Sequence, residues 1–211
     1  MNGGAWALIA VAAGFAVADW VAVDEGVKRV EYVCKPAVIV ALLLAALVLD
    51  PRHEARRDWF VAALALSLVG DVFLMLPDRF VEGLGAFLLA HVAYIGGLLA
   101  GGLTAGGFLV AAVVVVAVSV AVGRRVVAGI EASGQRELVG PVIAYVVVLS
   151  AMMTCAAAAR PALTGFGAAL FYGSDALIAW NRFVRVLPWA PVAIMVTYHL
   201  AQMALVTSLG T

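Results

Sequence analysis

Apolar runs of about 20 residues, separated by short polar or Gly/Pro-marked turns, recur along the whole chain. A run of about that length crosses the hydrocarbon core of a bilayer as an α-helix. Eight such spans fit, at about 5–23, 33–49, 58–76, 80–100, 104–122, 139–159, 161–180 and 188–209. Turns are marked by Asp50-Pro51, Pro77, Gly101, Gly102, Gly106, Gly107, Gly123, Gly134, Arg160-Pro161 and Pro188. The longest connection, 123–138, is polar and reads as a surface loop. Gly96, Gly97, Gly165 and Gly167 lie inside spans, where small residues let helices approach closely. The predicted class is all-α: a polytopic membrane protein of eight transmembrane helices, one helical domain over residues 1–211.

Composition narrows the picture. The chain is 65% hydrophobic and only 12% charged, against about 25% charged in soluble domains. This excludes a separate soluble domain. A net charge of zero argues against a nucleic-acid partner. Cys34 and Cys155 stand alone, without metal-ligand spacing, and read as packed thiols. No Lys or Arg precedes the first apolar run, so Ala16-Val17-Ala18 is not expected to be a signal-peptide cleavage site. With eight spans, the odd-numbered loops share one side. That side holds nine Lys and Arg (Lys28, Arg29, Lys35, Arg79, Arg124, Arg125, Arg136, Arg182, Arg185). The terminal side holds four (Arg52, Arg56, Arg57, Arg160), so the odd-numbered loops are expected in the cytoplasm of a bacterial-type cell membrane.

The polar residues inside the spans carry the functional question. Ser67 to Tyr94 reads as two helices joined at Pro77-Asp78-Arg79, with Asp71 inside the first and His91 inside the second. An acid within a span costs about 2.5–3.5 kcal/mol on insertion scales, which makes it a functional hypothesis by default. From the helical rise, Asp71 lies about 8 Å and Asp175 and Tyr145 about 9 Å below the odd-loop face, with His91 and His199 at about 16 Å. Lys35 opens span two at that face, and Asp19 closes span one there as an interfacial helix-end acid. Phase agrees. Ser67 and Asp71 share a face, as do Gly83, Phe87, His91 and Tyr94, while Glu82 points away to the turn or the headgroups.

The two acids sit in related surroundings. Gly70-Asp71 leads to Arg79-Phe80, and Ser174-Asp175 leads to Arg182-Phe183. Pro36 precedes Asp71, and Pro141 precedes Asp175, at nearly equal distances, and a His follows each acid. Spans one to four therefore suggest a 4+4 parallel repeat with spans five to eight. Each polar residue also has a structural reading. Lys35 and Arg182 as snorkelling cations, lone core histidines, and Tyr94, Tyr145 and Tyr198 as packing aromatics are all common uses. A buried ion-pair network of Asp71 and Asp175 with Lys35 and Arg182 is the structural alternative for the two acids.

Taken together, Lys35-Pro36, Gly70-Asp71 with Leu74, the Gly83-Phe87-His91-Tyr94 stripe and Ser174-Asp175-Ala176-Leu177 with Asn181-Arg182-Phe183 resemble the lysoplasmalogenase family of YhhN-like membrane proteins. The resemblance runs from span two to span eight. It implies hydrolysis of the vinyl ether bond of a lysophospholipid, the lysoplasmalogen, to a fatty aldehyde and a glycerophospho-alcohol. It implies no metal and no organic cofactor.

The residues fit that chemistry. Vinyl ether hydrolysis begins with protonation of the β-carbon and proceeds through an oxocarbenium ion, so it needs a proton donor and a nearby anion, as in glycosidases. Asp71 and Asp175 are the catalytic candidates, in either order. Arg182 beside Asp175 would keep that acid ionised and leave Asp71 as the donor. Asn181, Tyr94 or His91 would orient water, and Lys35 and Arg182 would hold the lipid phosphate. Tyr145 and His199 complete the substrate-binding candidates, and the lipid would enter from the leaflet between helices. Three other readings stay open: a metal hydrolase on His91, His199, Asp71 and Asp175; a small-solute or proton-coupled transporter using intramembrane Asp and His; and a lipid-binding or structural protein whose charges fix helix register.

Overall fold

A computed structural model describes residues 1–210, with the side chains of residues 105–107 outside the description. Eight helices follow in order: α1 (Gly3–Asp24), α2 (Lys28–Val48), α3 (Glu54–Met75), α4 (Phe80–Ala100), α5 (Ala105–Ala132), α6 (Val139–Ala158), α7 (Ala162–Phe183) and α8 (Ala190–Thr207), with a 3₁₀ turn at Arg136–Leu138 before α6. All eight are long and apolar enough to cross a bilayer. The protein is an integral, multi-pass membrane protein. Irregular backbone is confined to the connections, because a bilayer leaves no solvent to satisfy free peptide groups.

Consecutive helices pair as hairpins α1/α2, α3/α4, α5/α6 and α7/α8. The hairpins join along α2/α3 and α6/α7, and α4/α6, α1/α8 and α2/α8 close the bundle. Helix α5 stands outside it, against α6 and α7, with Leu109, Val110 and Val113 turned outward. The main core draws on the other seven helices, whereas Val126 and Ile130 of α5 form a smaller cluster with Leu138 and Val142.

Turn chemistry sets the hairpins. Gly26 takes φ +70° between α1 and α2, and Asp78 takes φ 59° between α3 and α4, a conformation that Asp tolerates better than most residues. Close approach then brings α3 onto α4. A Cβ at Gly70 would lie 2.6 Å from the Phe87 ring, and one at Gly83 would lie 2.6 Å from Leu74. These contacts bring the Asp71 face of α3 against the His91 face of α4.

Several expectations change. The stretch 123–138 is not a surface loop, since α5 continues to Ala132; its Arg and Glu residues fall on the exposed side of a long helix, where they cost nothing. Gly123 is therefore helical and no turn. Helix α2 begins at Lys28, so Lys35 does not open the span but lies two turns inside it, about 10 Å along the axis. Asp19 is no interfacial acid, being fully buried. Arg56 is no loop cation either. Its guanidinium donates to Arg160 O (2.9 Å), Thr164 Oγ1 (2.8 Å) and Ser208 Oγ (3.0 Å), knotting α3, α7 and α8 at the terminal side.

Candidate active site

Helix α3 presents Ser67 and Asp71 one turn apart on its buried face. Lys35 Nζ lies 3.3 Å from Asp71 Oδ1, with both side chains almost wholly shielded. The Tyr198 hydroxyl donates to Asp71 Oδ2 at 2.7 Å. One turn along α8, Gln202 Oε1 accepts from the Tyr94 hydroxyl. On the α1 side, Trp20 Nε1 donates to His199 Nδ1 at 3.1 Å. Among the described residues, His199 Nε2 and both oxygens of Asp19, the residue before Trp20, are buried without a hydrogen-bond partner.

The second acid has a different setting. Tyr145 of α6 donates its hydroxyl to Asp175 Oδ2 at 2.7 Å. His91 Nε2 of α4 lies 3.4 Å from the same oxygen. His91 Nδ1 is 2.5 Å from the Phe87 carbonyl oxygen. A carbonyl only accepts, so Nδ1 carries a hydrogen, and Nε2 is the ring nitrogen that faces Asp175. No Lys or Arg pairs with Asp175 among the described residues.

An aromatic layer lies between the two acids. Phe171 packs edge-on against His91 (4.8 Å between centroids) and Tyr198 (5.4 Å), and Phe87 lies 5.8 Å from Tyr198. Beside the layer, α3 to α7 line a partly open cavity of about 70 Å³. Its wall is apolar apart from Asp175, Tyr145, Ser119 and Tyr172. Asp71 does not line it. The two acids thus share no pocket and stand in two settings: a charged pair buried in packed helices, and an acid facing an apolar cavity. Phe80 and Phe183 stand at the odd-loop end of that cavity, and the exposed Arg182 lies over the Phe80 ring at 3.8 Å.

The sequence candidates divide accordingly. Asp175, His91 and Tyr145 come together, as do Asp71 and Lys35. Arg182 does not meet Asp175, because the two turns between them carry it to the rim, where it stacks on Phe80. Asn181 Oδ1 accepts from Leu187 N at 2.7 Å, closing the chain after α7 rather than facing the acids. Tyr94 belongs to the core with Phe60 and Gln202, and His199 belongs with Trp20. Lys35 is engaged by Asp71 and is screened from a lipid phosphate. Tyr198 was missed as a site residue. Its signal was the buried Ile194, Tyr198, Gln202 stripe of α8, polar at two of three positions. Among the described residues no three His, Cys, Asp or Glu side chains are grouped to hold a metal ion.

The YhhN family model matches residues 30–209, which include Lys35, Asp71, His91, Tyr145, Asp175 and Tyr198. The chain belongs to the YhhN family. Over 153 residues this YhhN protein is 39% identical to a lysoplasmalogenase of Mycobacterium bovis, a match covering 70% of this chain and 58% of that protein. It is 33% identical over 183 residues to a lysoplasmalogenase of Sus scrofa, covering 84% of this chain and 73% of that one. It is 31% identical over 194 residues to a lysoplasmalogenase of Mus musculus, covering 90% and 79%. The chain thus spans little more than half the length of its mycobacterial relative. No solved structure matches this YhhN protein.

Proposed function

We propose that this protein hydrolyses the vinyl ether bond of a lysoplasmalogen, with Asp175 as the proton donor. The observation that carries the reading is the apolar cavity bearing one carboxyl group, Asp175, with Tyr145 and His91 behind it. An alkenyl chain needs an apolar site, and its double bond needs an acid within it. The names of the relatives point to the same reaction.

The expected roles follow from what each acid touches. Charging a carboxyl group before an apolar wall, with no cation beside it, is costly. Asp175 therefore carries a proton to deliver. Asp71, paired with Lys35, supplies the fixed anion on the far side of the aromatic layer. This exchanges the order expected when Arg182 was placed beside Asp175. The Asp175 proton passes to the vinyl β-carbon and its O–H electrons stay on Asp175, which then faces the oxocarbenium ion as an anion. Tyr145 strengthens its hydrogen bond to that anion. Water adds to the cationic carbon, and its proton returns to Asp175, through His91 Nε2 if the water lies on that side. The hemiacetal then collapses to aldehyde and alcohol. Seven residues separate Asp175 from Arg182, about 10 Å along the helix. A phosphate at Arg182 would thus leave the vinyl ether near Asp175.

The odd-numbered loops are proposed to face the cytoplasm. With the buried Lys35 and Arg56 set aside, eight Lys and Arg stand on that side against three on the other. The test of the function is purified protein in detergent, supplied with a lysoplasmalogen and with an acyl lysolipid. Aldehyde from the first alone, lost in Asp175→Asn, is expected. Equal cleavage of the acyl lysolipid, or no aldehyde, refutes the reading.

A further inference from the structure

The cavity at Asp175 is too small for the chain it is proposed to receive. A water molecule needs on the order of 10–15 Å³ of such space. A cavity of about 70 Å³ therefore takes a handful of methylenes and no fatty chain. The rest of the chain must leave the cavity by a continuous apolar route.

Such a route lies between α5 and α6. A groove of about 700 Å³ runs along their outer face. Ser119, Gly123, Val142 and Val146 line both this groove and the inner cavity, so the two spaces share one wall. The junction is at the depth of Asp175. Helices α5 and α7 run in the same direction, and Gly129 abuts the Phe183 backbone, where an added Cβ would collide with the carbonyl oxygen. Stepping back eight residues on each helix brings Asp175 level with position 121, between Ser119 and Gly123. From Ser119 the groove continues to Phe108, eleven residues or about 16 Å along α5. A membrane-length chain crosses one leaflet, about 15 Å. Toward its odd-loop end the groove carries the exposed Arg124, a cation for the phosphate of an arriving lipid, and two turns further the exposed Glu131.

The wall itself is built to part. Among the described residues, the side-chain hydrogen bonds from α5 to its neighbours are those of Ser119, to Ser150 Oγ (2.8 Å) and to the Tyr172 hydroxyl (2.6 Å). Arg125 lies over the Trp180 ring of α7 (5.7 Å); along the α5/α6 seam itself most of the facing residues are small or β-branched and apolar, and lipid tails replace such contacts at little cost.

We infer that the α5/α6 seam is the lateral portal of this protein: a single-chain lysophospholipid enters there from the bilayer, and the distal part of its chain stays in the α5/α6 groove while its vinyl ether reaches Asp175. The inference rests on the proposed hydrolysis for its substrate, and its test separates the two. Wild-type protein in detergent is irradiated with a lysophosphatidylcholine carrying a diazirine at the chain end, and labelled peptides are mapped. Label on the groove faces of α5 and α6 is expected. Label on other helices, or spread evenly over the lipid-facing surface, overturns the portal. In parallel, Gly123→Trp is assayed with long-chain and butenyl lysoplasmalogens. Among the described residues a Cβ at Gly123 meets no atom within 4 Å, so the added side chain starts in open space at the junction. The ratio of long-chain to short-chain kcat/KM is expected to fall at least about tenfold. An unchanged ratio overturns the inference. Label on the seam without aldehyde from any substrate would leave the portal standing and refute the reaction.

Discussion

The Lys35–Asp71 pair offers the sharpest quantitative test. Its charges are 3.3 Å apart and both side chains are shielded from solvent. At an effective dielectric constant near 20, two unit charges at that distance attract by about 5 kcal/mol. Desolvation opposes this attraction, so the intact pair adds little beyond what a well-packed apolar pair would supply. Removing one partner is different, because it leaves the other charge buried alone. Lys35→Met and Asp71→Leu are each expected to cost about 3–5 kcal/mol, and the double variant is expected to recover most of that loss. The assay is equilibrium unfolding of the purified protein in mild detergent, run as a double-mutant cycle. Additive losses, with a coupling energy below about 1 kcal/mol, would refute the buried pair. The same cycle addresses function. A stable double variant that still releases aldehyde would take Asp71 out of the mechanism and leave it a structural residue.

Other expectations follow from the remaining contacts. Asp175→Asn keeps an oxygen to accept from Tyr145, so insertion and thermal stability should persist while aldehyde release disappears; residual turnover near wild type would exclude Asp175 as donor. Tyr145→Phe removes a hydrogen bond to a group that becomes charged, worth about 1.5–3 kcal/mol, so kcat should fall about ten- to a hundredfold with KM little changed. Arg182→Gln should raise KM for the lysophospholipid far more than it lowers kcat, as measured by steady-state kinetics; a pure kcat loss would place Arg182 elsewhere in the reaction. Arg56→Met leaves a part-buried carbonyl and two buried hydroxyls without their donor and should cost about 3 kcal/mol or more on unfolding, with kcat per folded molecule unchanged.

Eight spans, their order, and the four residues Asp71, His91, Tyr145 and Asp175 were all legible in the amino-acid sequence. Span length follows from bilayer thickness, and an acid or histidine in an apolar run stands out because so few other polar groups surround it. Helical phase was equally local, and the Gly83, Phe87, His91 and Tyr94 stripe is buried as its spacing predicts. Partnership was another matter. Arg182 shares a helix and a face with Asp175, yet its long stem carries the guanidinium to the Phe80 ring. The partners that Asp175 does have come from α4 and α6, and those of Asp71 from α2 and α8. Tyr198 looked like any belt aromatic, and Asp19 like any helix-end acid, until neighbouring helices closed over them. The reach of α5 past Gly123 was hidden for a related reason: a helix that leaves the bilayer loses its apolar signature while keeping its backbone hydrogen bonds. Depth, length and period belong to one helix and can be read along it. Which acid meets a cation and which meets an empty apolar wall depends on contacts between residues as far as 127 positions apart, and packing alone decided them.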